Sequence, residues 1–380
     1  MAGIGTFNRS ANLLAGPGTH YSLDGSGTIP SGTRVTIVWQ EGDWYYIETT
    51  TPYKRRNYIH KSHVIVNSGS FPTIPGNLLT RCVGTAATSR RGPGTTYATA
   101  AYLPKGKEVL YVNGTKDGDY ALLEYASESG YRARVWYEHM KILGAYGGSS
   151  RYRYLSGTYN GLDLGIMRVP AQNIGMASLS WSNYLSNTSY YGINGGFWAN
   201  KPGEQRTLNI SVKNGSNTCA GADTNRVGKG TIYWNGNSLN YKIASTKSEI
   251  SGISSSGTWA QGGISMFLGN SNWKSRTNSE EGNGYNPDQA YGWGRTAIVA
   301  NIPEKIVYLI VTNTTTVTMT SIRKAIQDFV GITDGSTDNS SYKGLFLDAS
   351  GSSQLRAINC NGTVENKPGD SRTLLQIITV

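Results

Sequence analysis

Hydrophobic positions in the first 145 residues fall in short alternating runs: Val35 to Trp39, Trp44 to Glu48, Val109 to Val112 and Tyr120 to Glu124. Turn residues separate them at intervals of about 8–12 residues, the pattern of a small all-β barrel rather than of helices. The runs also repeat. Gly16-Pro17-Gly18-Thr19-His20-Tyr21 returns as Gly92-Pro93-Gly94-Thr95-Thr96-Tyr97. Ile29-Pro30-Ser31-Gly32 returns as Leu103-Pro104-Lys105-Gly106, and Glu41-Gly42-Asp43-Trp44 as Asp117-Gly118-Asp119-Tyr120. An offset held near ~75 residues in all three means that one module was duplicated. The glycines beside Pro17 and Pro93 are expected to supply turn geometry.

The pattern changes beyond Gly147-Gly148-Ser149-Ser150. Arg295 to Ala300 and Lys305 to Thr312 are continuous apolar runs, read as buried strands joined by a hairpin at Ala300-Asn301-Ile302-Pro303. Ser321 to Val330 reads as a helix. Ile322, Ala325, Ile326, Phe329 and Val330 share one face, Thr320 can cap the start, and Gly331 can close the end. Gly344 to Asp348 is a further buried strand. Strand pair, helix and strand predict an α+β domain with a mixed sheet. The expected organisation is therefore multidomain: a barrel over 1–67, a linker over 68–78, a barrel over 79–145 and the α+β domain over 151–380.

Four pieces recur in order in both copies: a strand, GPGT-x-Y, a P-x-G turn before a strand, and a G-D-W/Y strand. Over about residues 6–66 and 79–143 they resemble bacterial SH3-like (SH3b) modules. The resemblance implies small SH3-like barrels that attach, without catalysis, to peptidoglycan or an associated polymer. Leu13-Leu14 and Tyr120 depart from the usual polar stretch and Trp. Trp44, Tyr46, Tyr97 and Trp136 are the wall-binding candidates, with faces that could stack on sugars or peptide; barrel core is the alternative for each.

Composition narrows the partners. The net charge of +11 is spread along the chain, with one tight run at Lys54-Arg55-Arg56. A diffuse positive field suits an anionic wall polymer better than nucleic acid, which calls for a concentrated basic face. No apolar run reaches 18 residues, so no membrane insertion is expected. Cys82, Cys219 and Cys360 are odd in number and widely spaced, which argues against a disulfide framework; no metal and no cofactor are expected. Met1-Ala2-Gly3-Ile4-Gly5 has neither a basic stretch nor an apolar region of the secretory kind. The expected setting is extracellular and wall-acting, with the protein virion-associated or released by lysis.

The histidines are His20, His60, His63 and His139, and none follows. That removes Ser-His-Asp, Cys-His and ordinary zinc hydrolysis from the third domain. Acid–base work there falls to carboxylates, tyrosines or lysines. Asp348 stands out, because the Gly344-Leu345-Phe346-Leu347 strand delivers it to a turn of small residues. An Asx turn is the plainer account of it. Glu280, Glu281 and Asp288 sit in a Gly/Asn-rich stretch before Arg295 and are left out of the catalytic set. Glycine-rich strand ends admit an anionic group close to backbone N–H donors.

Four such segments occur in order: Asn194-Gly195-Gly196-Phe197, Gly262-Gly263, Arg295-Thr296-Ala297 and Leu347-Asp348-Ala349-Ser350-Gly351-Ser352-Ser353. Over about residues 158–360 they resemble the phosphodiester glycosidase (uncovering-enzyme-like) family. The resemblance implies catalytic Asp348 and Arg295. It also implies substrate contacts from Asn194, Gly195, Gly196, Gly262, Gly263, Thr296, Gly351, Ser352 and Ser353. Ala349 and Ser350 replace two glycines of the family pattern. Two readings stay open. One is a wall-targeted hydrolase of a sugar-1-phosphodiester, as a phage lysin or tail-associated protein. The other is a non-enzymatic glycan-binding or adhesion protein assembling with phage or particle proteins.

Overall fold

The computed structural model describes residues 2–19, 23–50, 55–73, 76–82, 86–104, 108–113, 115, 117–125, 131–136, 139–145, 147–149, 151–199, 206–281, 286–289, 294–312, 317–367 and 373–380. His20, Tyr21, Lys54, Lys105 and Gly106 of the sequence motifs lie outside them. The chain forms two compact units, Met1–Ala145 and Tyr146–Val380.

The first unit holds two seven-stranded antiparallel sheets. One runs Leu23–Ile29, Ala11–Leu14, Arg55–His60, Trp44–Thr49, Arg34–Glu41, Gly3–Phe7, Val64–Ser68. The other runs Thr99–Pro104, Ala86–Arg90, Tyr131–Trp136, Tyr120–Tyr125, Glu108–Asn113, Gly76–Cys82, Met140–Ala145. Strand for strand the order is the same. Each sheet closes on its own core, with Phe7, Leu13, Ile37 and Ile47 in one and Leu103, Val109, Leu123 and Val135 in the other.

A third cluster joins the copies: Trp39, Tyr46 and Tyr58 of the first pack with Val112 and Leu122 of the second. Trp39 and Tyr46 stack with ring centroids 4.0 Å apart. Beside them Arg56 donates to Glu48 at 2.7 Å and pairs with Asp117, while Tyr97 donates its hydroxyl to Glu48 at 2.8 Å. Burial alone would lower the Arg56 pKa, but its bonds to Glu48 and Asp117 raise it above the ordinary value.

These contacts correct two of the wall-binding assignments. Tyr46 and Tyr97 are 2% and 5% exposed, so neither ring face is open to a sugar. Trp44 is half-buried, edge-on to His60 at 5.3 Å. Trp136 ends a strand, and its side chain lies outside the described atoms. Gly92 proves to be a packing residue: a Cβ there would sit 2.0 Å from the Tyr97 ring. The repeated Gly-Pro-Gly therefore seats an aromatic in the second copy.

The second unit overturns the α+β expectation. Strands make up 49% of the structure against 12% helical, and two α-helices occur among the described residues. Its large sheet runs Gly147–Ser149, Tyr152–Tyr159, Leu162–Pro170, Ile306–Thr312, Arg295–Asn301, Tyr342–Phe346, Trp259–Ser265, Ser211–Lys213, Ser216–Asn217. Neighbouring strands pair antiparallel throughout, so the sheet is not mixed. A second antiparallel sheet runs Gly175–Ser178, Gln376–Thr379, Gly192–Asn194, Leu355–Ile358, Val364–Lys367.

The continuous apolar runs have a physical cause. Helix Met319–Val330 covers one face of the large sheet, where Phe329 meets Tyr159 and Tyr308 at 5.2 Å each. The second sheet covers the other face, packing Ile193, Leu355 and Ile378 against Ile298, Leu309 and Leu347. A strand covered on both faces loses its alternation whatever its direction. The helix itself starts at Met319 with Thr318 as N-cap, reciprocally bonded to Ser321, and Gly331 closes it at φ +70°.

Tyr46→Ala removes the ring that both copies share. The expected cost is about 3–5 kcal/mol, by analogy with other buried aromatics. Denaturant unfolding of the protein, followed by the fluorescence of the first unit, checks it.

Candidate active site

The four glycine-rich segments, far apart in sequence, meet around Leu347 and Asp348. Strand Tyr342–Phe346 lies between Arg295–Asn301 and Trp259–Ser265, paired Ala297 with Phe346 and Ile264 with Phe346. Past the strand end, Leu347 N–H donates to Thr296 O at 3.0 Å, and Asp348 N–H donates to Gly195 O at 3.3 Å. Ser350 N–H donates to Gly294 O at 3.0 Å. The strand pairing ends at Ala297–Phe346: Leu347 still bonds Thr296, and Asp348 turns to Gly195.

Asn194 holds the junction. Its side chain is 1% exposed and uses both ends. Nδ2 donates to Asp348 O at 2.8 Å, while Oδ1 accepts from Thr296 Oγ1 at 2.7 Å and from Gln354 N–H at 3.1 Å. Thr296 Oγ1 also lies 3.1 Å from Ser353 Oγ. Behind it runs a chain of buried amides. Gln376 Oε1 accepts from Gly196 N–H at 3.1 Å and its Nε2 donates to Gln261 Oε1 at 2.9 Å. Asn209 Oδ1 accepts from Phe197 N–H, and Asn225 Nδ2 donates to Thr231 Oγ1. A buried polar group costs little only when its bonds are met, and a fully met network admits one arrangement.

This changes the roles read from sequence. Asn194, Thr296, Ser352 and Ser353 are each 2% exposed or less, so they frame the site instead of lining it. Gly195 N–H goes to Gln376 O, Gly196 N–H to Gln376 Oε1 and Gly262 N–H to Ile210 O, which leaves none of the three for a ligand. A Cβ at Gly195 would meet Gln376 Oε1 at 2.1 Å, and one at Gly262 would meet Asn225 Oδ1 at 1.9 Å. These glycines make room for amides. Gly263 packs likewise against Phe346 O, and Gly351 is buried in the 3-10 turn Ser350–Ser352.

Asp348 itself is half-buried and accepts from Trp198 Nε1 at 2.5 Å. Trp198 in turn stands edge-on to Trp181, centroids 4.2 Å apart. Sequence reasoning missed Trp181, Gln261, Gln354 and Gln376; Gln261 and Gln354 adjoin the motifs, and nothing in the sequence marks Gln376. Arg295 is 3% exposed, and its Nη2 reaches Gln289 O at 3.5 Å. Strand alternation sends it to the face opposite Thr296.

The carboxylates that precede Arg295 in the chain have other duties. Glu280 is helical, in Trp273–Glu281, and accepts from Gly230 N–H, Ser265 N–H, Ser265 Oγ and Lys229 N–H. Burial pushes its pKa up, and these bonds push back. Asp288 is exposed and paired with Lys274 at 2.5 Å, which holds its pKa down. The Glu281 side chain lies outside the described atoms.

No family model and no curated protein matches the chain. Among solved structures it is similar to the zebrafish N-acetylglucosamine-1-phosphodiester alpha-N-acetylglucosaminidase catalytic domain auto-inhibited by pro-peptide. That match has 12% identity and a TM-score of 0.39, and covers 62% of this chain and 86% of that one. A hypothetical protein from Synechocystis matches at 10% identity and TM-score 0.37, covering 98% of this chain and 99% of that one. NlpC1 from Trichomonas vaginalis matches at 14% and 0.17, covering 53% and 58%. Likenesses this distant leave the chemistry of the site to its own geometry.

Two outcomes are expected. Ser350 sits at φ +64°, in the left-handed region that a side chain resists. Ser350→Gly should raise stability by about 1 kcal/mol, read from the thermal midpoint. Every partner of Glu280 is a donor, so Glu280→Gln turns an N–H against one of them and should cost about 1–3 kcal/mol. Because the folded pKa of Glu280 is raised, its stabilising share is full below the unfolded carboxylate pKa and falls as pH rises through the folded value. A stability–pH profile of wild type against Glu280→Gln shows that decline only in the wild type.

Proposed function

We propose that the second unit hydrolyses a glycosyl phosphodiester, with Asp348 as the carboxylate that meets the reacting sugar. The single observation behind this reading is the convergence of the four segments on Leu347–Asp348, with one half-buried acid at the centre of a buried, fully bonded frame. A phosphate ester is already a good leaving group, so the site needs less protonation of the departing oxygen than an ordinary glycosidase. It needs negative charge beside C1, where oxocarbenium character develops, and Asp348 supplies it. The C1–O bond breaks with its electron pair going to the phosphate oxygen; water adds to C1 and releases a proton. Arg295, next to Thr296 on the neighbouring strand, is the group assigned to neutralise the phosphate, since its fork matches phosphate oxygens.

The wider setting belongs to the same proposal. The duplicated first unit and the positive charge suit attachment to an anionic bacterial wall polymer, with Trp44 the candidate contact among the described side chains. A virion-associated role and an extracellular site of action accompany that reading.

A second reading, saccharide binding without cleavage, is favoured by the glycine N–H groups. They were expected to cradle the phosphate and are spent inside the protein. Release of reducing sugar from a UDP-sugar or a sugar-1-phosphate diester decides between the two. Asp348→Asn should lower turnover by about 100-fold or more, the scale of a lost transition-state charge contact. Arg295→Lys should lose less than Arg295→Ala. Equal turnover in wild type and Asp348→Asn, or saccharide binding without any release, would remove the hydrolytic reading.

A further inference from the structure

We propose that an open cleft beside Trp181 is a binding site for one unit of a neutral saccharide, separate from the carboxylate and reached from it through Trp198. The cleft has a volume of about 400 Å³, and Trp181, Ser178, Ser180, Thr218 and Cys219 line it with Ala220 and Leu375. That volume is in the range of small-molecule sites. Among the described residues no carboxylate, lysine or arginine lines it. An indole wall with three hydroxyls fits a sugar ring, which has apolar C–H faces and hydroxyl edges, better than it fits a phosphate.

Trp181 is held there against local preference. Ser180 and Trp181 both lie in the left-handed region, at φ +47° and +63°. A bulky residue at such a φ is a true outlier. Backbone bonds fix it: Ser180 N–H to Leu375 O at 3.3 Å and Trp181 N–H to Leu374 O at 3.1 Å. Trp181 Nε1 is also buried without an acceptor among the described residues. Two such costs in one side chain that stays part-exposed are what a ligand-holding residue shows, and a core tryptophan would avoid both. The edge-on contact with Trp198, whose indole N–H bonds Asp348, makes cleft and carboxylate neighbours in one wall.

The site does not require Asp348 to be catalytic, and the test keeps the two apart. Cys219 stands in the cleft wall as a free thiol, and burial raises its pKa, so alkylation in mildly alkaline buffer reports on occupancy. Its rate is read by peptide mass spectrometry on the full chain. The probes are cellotriose, chitotriose and mannotriose, with inorganic phosphate as the anionic comparison. At least one trisaccharide should slow alkylation saturably, and phosphate should not. Trp181→Phe keeps a ring and shortens the indole wall; it should weaken protection about tenfold without lowering the thermal midpoint, and Thr218→Val should weaken it less. Asp348→Asn, run alongside, should keep protection even where turnover is lost. No protection by any of the three at millimolar concentration would overturn the proposal. So would equal protection by phosphate, or Trp181→Phe lowering the midpoint with protection unchanged.

Discussion

The second unit depends on one side chain, the carboxamide of Asn194. The strand-end turn keeps its N–H groups bonded to Thr296, Gly195 and Gly294 carbonyls, but the Asp348 carbonyl looks to a side chain. Asn194 replaces the ladder. It ties the Asp348 carbonyl, the Thr296 hydroxyl and the Gln354 N–H into one knot below the surface. An amide both donates and accepts, so it can join three segments that each lack a different partner. Aspartate there would face a carbonyl with no proton to give, and leucine would remove all three bonds at once.

The amide chain behind Asn194 explains why so much polar material sits in the middle of a β structure. Gln261 and Gln376 project from paired strands, and Asn209 and Asn225 from the connections beside them, near the place at which Gly195 O takes the Asp348 N–H. The connecting segments carry backbone groups outside the ladders, and the amides reach them: Gly196 N–H, Phe197 N–H and Val227 O. The glycines beside those amides arise from the same need, since any Cβ would occupy the space the amides fill. In the first unit a charged group does the joining: Arg56 lies between Glu48 and Asp117, one from each repeat, next to the aromatic cluster. Half-buried and multiply bonded, it resists the solvent screening that makes surface pairs weak.

These differences mark what the residues alone could disclose. The duplicated module, the hairpin near Asn301–Ile306 and the helix ending at Gly331 were legible because each rests on local rules: repeat offset, apolar period and a left-handed cap. The α+β expectation failed because doubly covered antiparallel strands look like parallel ones when only hydropathy is read. Helix Trp273–Glu281 was invisible for the opposite reason. Trp273 and Thr277 are its buried positions among the described side chains, so no apolar stripe announces it. At the site the structure brings the motif segments together and spends many of their buried polar groups on one another. Spacing can show that Asn194, Gly195 and Thr296 belong together, but only packing shows that they face each other and not a ligand.

Among the described residues seven non-glycines take a positive φ; Asn160, Asn214, Phe267 and Lys305 lie elsewhere, and three lie close to the proposed site. Ser350, two residues past Asp348, takes a left-handed φ, and so do Ser180 and Trp181 next to Trp198. Each conformation costs about 1–3 kcal/mol, and a fold free to choose would place glycine at such points. Elsewhere this chain does so readily, at Gly32, Gly42, Gly161 and Gly257, where positive φ falls in open turns. At Ser180, Trp181 and Ser350 the cost is retained close to the half-buried acid and the indole wall, as it is at Phe267 and Lys305 elsewhere. Side chains kept at a loss to stability are placed by something other than stability. A ligand-contact role for the Asp348–Trp198–Trp181 line, as proposed above, would account for the strain kept beside it.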